Sequence, residues 1–160
     1  MSGGEGSIPE RRAADEPPVE VMVNQALDAE DLQAISADLR SLWSGALVGR
    51  VPAVRSEGIS WLALAALPLS GFLTTLGTSL AKDAHEAVRD RVQRILRRGH
   101  QAGVPGALVL EDRATGTRVV LEEDLPMAAY RALHDVELAG LAEGSTLRFD
   151  VVDQTWGTTS

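Results

Sequence analysis

The spacing of apolar residues changes along the chain, and each change marks a new element. Residues 19–23, VEVMV, alternate Val19, Val21 and Val23 against Glu20 and Met22, the two-residue period of a half-buried strand. Leu32, Ile35, Leu39, Leu42 and Trp43 then recur at helical spacing, so 29–43 is an amphipathic helix. Asp28 stands where an N-cap belongs, and Glu30 and Asp31 put negative charge in the first turn, where it suits the helix dipole. ALVGRVPAV (46–54) reads as a second strand, placed at an edge or an end because Pro52 has no N–H for a ladder.

Further along, two β-rich runs, 107–112 and 117–122, flank Arg113-Ala114-Thr115-Gly116, and Gly116 can take the positive φ of a hairpin turn. Asp124 offers the cap of a following helix, with Pro126 in its first turn, running to about Leu138 before Gly140. TLRFDVVD (146–153) alternates again and is the last strand. Residues 154–160 are expected to fray unless Trp156 packs back. The element order β-α-β-α-α-β-β-α-β predicts an α+β fold, a small mixed sheet with helices packed on one face.

The stretch ISWLALAALPLSGFLTTLGTSL (59–80) carries no charge. Its length suffices for a membrane span, and the segment 82–98 after it has a net charge of +3, as on a cytoplasmic flank. Yet only nine of its 22 residues are Leu, Ile or Phe, and Pro68 interrupts it near the centre. From Leu69 the apolar residues Phe72, Leu73, Leu76, Leu80, Ala84, Val88, Val92, Ile95 and Leu96 form one stripe that continues in phase into the charged segment. A lipid-facing helix has no reason to keep that register past its own end, whereas a long helix docked on a sheet does. The expectation is therefore a short buried helix at 59–67, a break at Pro68, and a helix from about 70 to 98. A small membrane-anchored protein with one span at about 59–80 is the alternative.

Composition narrows the chemistry. A chain of 160 residues suits one domain, and the lack of cysteine excludes disulfides, zinc–thiolate sites and thiol catalysis. The net charge of −8 argues against general nucleic-acid affinity, which needs clustered positive charge. Residues 1–18, rich in Gly, Pro, Glu and Arg and lacking an apolar signal core, read as a disordered leader before a single domain over 19–153. Gly71 and Gly77 do not make a phosphate loop, since no Lys follows them. His85 opens HEAVR like a zinc helix, but Arg89 stands where the second histidine must be. LEED (121–124) groups Glu122, Glu123 and Asp124, which read as the acidic start of a helix or, as an alternative, the acid–base pair of an enzyme with an unrecognised site. No catalytic motif and no cofactor or metal site emerges.

One charged surface stands out. Arg94, Arg97 and Arg98 end the long helix, where cations suit the dipole; Arg94 and Arg97 oppose its apolar stripe and Arg98 flanks it. They form a solvated face or a docking surface for an acidic partner, and Asp90 to Arg94 has the spacing of a helix ion pair.

Three stretches carry a family resemblance: AEDLQAISADLRSLWSG followed by GRVPAV, then LALAALPLSGFLTTLGTSLAKDAHEAV, then ALVLEDRATGTRVVLEED. Over roughly 19–138 they resemble the effector-associated constant component family of bacterial, largely actinobacterial, conflict systems. That resemblance implies a non-catalytic adaptor, working in the cytoplasm beside a protease or toxin effector or a nucleotide-dependent regulator. It supplies no catalytic residues to carry over.

Overall fold

The computed structural model describes residues 19–52, 55–56, 59–78 and 83–159. The proposed leader, 1–18, lies outside them. The first strand, β1 (Glu20–Asn24), buries Val21 and Val23 and leaves Glu20 and Met22 exposed, as the alternation requires. Helix α1 (Ala29–Leu42) starts on Asp28, whose Oδ1 accepts from the Asp31 N–H at 2.8 Å. It ends near Gly45, which has φ +76°. β2 (Leu47–Val51) runs parallel to β1 and stops before Pro52.

Residues 59–67 correct the expectation of a buried helix: they form a strand, β4 (Ile59–Leu67). It pairs antiparallel with β1 and with the two-residue β3 (Arg55–Ser56), and parallel with β5 (Ala107–Asp112). The reason is double burial. Leu62, Ala63, Ala65 and Leu67 belong to the main core, while Trp61 and Leu64 join an apolar cluster on the opposite face of the sheet. A strand covered on both sides has no polar positions to reveal its period, so an apolar run of this length fits helix or strand equally well. Helix propensity from its alanines is overridden by pairing on both edges.

Pro68 marks the corner. Its carbonyl accepts from the Phe72 N–H at 3.2 Å and α2 (Leu69–Thr78) begins there. α3 (Asp83–Gln101) follows, and the predicted continuity of one helix through 79–82 lies outside the described residues. The predicted stripe is seen in Leu69, Leu73, Val92, Ile95 and Leu96, all buried in the main core. Among the described residues no helix is long and apolar enough to cross a membrane, and the first nine of the 22 residues of the proposed span form an interior strand of the sheet. α3 runs past the expected end at 98, with Gly99 inside it: a Cβ there would fall 2.6 Å from Leu62 Cδ2, so the glycine lets the helix settle onto β4. The end comes at Gly103, with φ +82° and the Val104 N–H returning to the Gly99 carbonyl at 2.8 Å.

β5 turns into β6 (Arg118–Leu121) through the predicted hairpin, with Gly116 at φ +74°. The next helix is shorter than expected. Asp124 is exposed and does not cap the helix: α4 (Met127–Ala132) starts from Pro126 with no side-chain cap, then loosens into 3₁₀ turns at Leu133–Asp135 and Leu138–Gly140. Asp135 and β-branched Val136 are poor helix formers, and Val136 packs on the core in an extended conformation. β7 (Thr146–Asp150) runs parallel to β6.

The tail does not fray. Residues 151–154 turn, and Thr155–Thr159 form a further strand, β8, antiparallel to β7. Trp156 is what holds it: the indole Nε1 donates to the Ala129 carbonyl at 2.8 Å, and the ring meets Phe149 edge-on at 5.4 Å. The mixed sheet has the order β2-β1-β4-β5-β6-β7-β8, with β3 beside β4. Residues from all four helices of the described segments join the core on one face, and the described members of the opposite cluster, Trp61, Leu64, Ala107, Val109 and Val120, are strand residues. This is the α+β architecture expected, with three more strands than the periodicity revealed.

Candidate interaction surfaces

Arg94 and Arg98, expected on an open docking face, are turned toward α1. Arg94 Nη1 lies 3.2 Å from Asp38 Oδ1, and Arg98 Nη1 lies 3.4 Å from Asp31 Oδ1. The Asp90–Arg94 pair therefore does not form; Asp90 sits 3.8 Å from Arg89 instead. The two arginines rivet α3 to α1 above the apolar contact of Ile35, Leu39, Ile95 and Leu96. Arg97 is exposed, with no ion pair among the described residues. The trio is thus divided: two arms are used within the molecule and one is offered to solvent.

The three carboxylates of LEED are also separated. Glu122 pairs with Arg148 across β7. Glu123 turns to α3, where its carboxylate is 3.5 Å from His100 Nδ1 and its carbonyl accepts from Gln93 Nε2 at 3.4 Å. Asp124 points to solvent. An acid–base pair needs two carboxyl groups around one reacting atom, and these three do not converge. Among the described residues, no group of three His, Asp or Glu could hold a metal ion.

A buried carboxylate that sequence reasoning passed over lies at the end of β5. Asp112 is 7% exposed. Its Oδ1 accepts from the Leu69 N–H at 3.1 Å, at the start of α2, and its Oδ2 accepts from the N–H and hydroxyl of Thr115 at 3.1 and 2.8 Å. One side chain thus caps a helix 43 residues earlier in the chain and closes its own hairpin. The D-x-x-T spacing before Gly116 was the available signal for the local half; the helix cap has none. On the buried side of α4, Tyr130 is 1% exposed and its hydroxyl finds no hydrogen-bond partner among the described residues. Burial pushes its pKa well above the usual phenolic range, against a smaller lowering from the Arg89 cation.

An open region lies at the β7–β8 end. Val151 and Val152 at the turn are 62% and 90% exposed. Among the described residues β8 is paired on one side alone, so its outer edge presents backbone donors and acceptors to solvent. Beside it a groove of about 420 Å³ runs between β8 and the 3₁₀ turns. Leu147 and Trp156 line it from the sheet, Val136 and Leu141 from the turns, and the exposed carboxylates of Asp135 and Glu137 border it. Trp156 was the sole sequence clue to this site. Compared with protein-family models, with curated proteins and with solved structures, the chain matches none.

Proposed function

We propose that this chain is a non-catalytic adaptor domain that binds a protein partner, an effector protease or toxin or an NTPase regulator of a bacterial conflict system, in the cytoplasm. The observation that carries the binding role is the open β8 edge with an apolar groove beside it, a geometry suited to an extended protein segment. The resemblance over 19–138 supplies the class of partner. The scattering of Glu122, Glu123 and Asp124 favours this reading over an enzyme built on them.

Affinity capture of the intact chain from the bacterium that makes it, read by mass spectrometry, tests the proposal. A protease, toxin or NTPase regulator should be retained from the soluble fraction at stoichiometric yield. Recovery of the chain alone, or its retention in the membrane pellet after an alkaline wash, would overturn the reading.

A further inference from the structure

We infer that β8 accepts an extended, positively charged strand of the partner, one of whose apolar side chains seats in the groove beside Trp156. This deepens the adaptor reading and rests on it. The backbone argument comes first. Sheet edges are normally blunted by charge, proline, bulges or a covering element. Thr155–Thr159, TWGTT, has no charge and no proline, and it is in register with β7 over all five residues. Its ladder is regular and its outer side is ready to be extended.

The groove then selects among strands. Its apolar floor and wall, Leu147, Trp156, Val136 and Leu141, suit a medium aliphatic side chain. Trp156 is held by its bond to Ala129 and by Phe149, so the anchor is ordered before anything binds. Charge decides the flanks. Glu137 borders the groove, and Asp150 and Asp153 stand exposed at the β7–β8 turn. Arg148, on the neighbouring strand β7, is engaged by Glu122. A second copy of this chain, of net charge −8, would bring the same carboxylates to the interface. Like charges so placed oppose self-pairing, and a segment carrying Lys or Arg beside its apolar residue is favoured.

The test uses the full chain and a short peptide of alternating lysine and valine, with a peptide of alternating glutamate and valine as its counterpart. Amide hydrogen exchange should slow at Thr155–Thr159 with the cationic peptide alone, and its affinity should fall steeply with added salt. Glu137→Lys should weaken binding by about tenfold or more. Gly157→Pro and Thr158→Pro remove adjacent amides that point to opposite sides of the strand. One disrupts the hairpin; the other keeps a folded spectrum and should lose the peptide. Three results would overturn the inference: no protection of β8 by the cationic peptide at millimolar concentration, equal protection by the acidic one, or a β8-dependent dimer in sedimentation. Native capture of an effector that survives the folded proline variant would sink this inference while leaving the adaptor role. Peptide binding with no effector captured would do the reverse.

Discussion

The two edges of the sheet differ in how they are finished. At β2 the strand carries the exposed Arg50 and stops before Pro52, both devices that discourage a further strand. The layer on that side is α1 held to α3 by a continuous apolar contact and two arginine–aspartate pairs. At β8 the strand is uncharged, two valines stand exposed at its turn, and the layer behind it is a short helix breaking into 3₁₀ turns. The β2 end is blunted by charge and proline although Leu47 there is 56% exposed, and the β8 end keeps its backbone and an apolar groove available. Binding surfaces are drawn from the less stabilised parts of a fold because an occupied core has nothing left to offer.

The largest test of that contrast is a pair of truncations. Leu39→Ala, at a fully buried position of α1, should cost about 2–5 kcal/mol in urea denaturation. Trp156→Ala should cost less, about 1–3 kcal/mol, since its side chain is half-buried, and should release β8 amides to fast exchange while those of β4 and β5 stay protected. Equal losses and global exchange in both variants would erase the distinction.

A smaller effect separates the two layers by pH. The Tyr130 hydroxyl has a raised pKa in the folded state, while in the unfolded chain it ionises near pH 10. Its contribution is full below about pH 10 and is lost as pH rises further, by about 1.4 kcal/mol per pH unit. Tyr130→Phe should lack that alkaline slope, and at neutral pH it should be unchanged or more stable by up to about 1 kcal/mol, since it removes an unsatisfied buried hydroxyl. The smallest effect is expected at the arginines. Arg94→Ala and Arg98→Ala should each cost under about 1 kcal/mol, because both side chains are more than one-third exposed and screened by solvent. A loss of several kcal/mol would mean that charge, not apolar contact, holds α1 to α3.

Much of this molecule was legible wherever one face of an element is wet. β1, α1 with its Asp28 cap and the stripe on α2 and α3 alternate buried and exposed positions, and that alternation is written in residue order, whereas the hairpin strands are buried almost throughout and were marked by the turn at Gly116. The candidate docking arginines were read from local pattern alone, so their turn toward Asp31 and Asp38 could not be foreseen: helix packing selects which side of α3 meets α1.

What the sequence determined by itself was therefore the class of fold, the two-sided elements and the turns that need a particular backbone angle. The tertiary structure alone decided three things. It made 59–67 a strand, since an apolar run buried on both faces carries no period and is settled by its neighbours β1 and β5. It placed Asp112 on the N-terminus of α2, a contact between residues far apart in the chain. It also turned an expected loose end into β8, because the ladder to β7 and the seat for Trp156 exist only once α4 and the sheet have met.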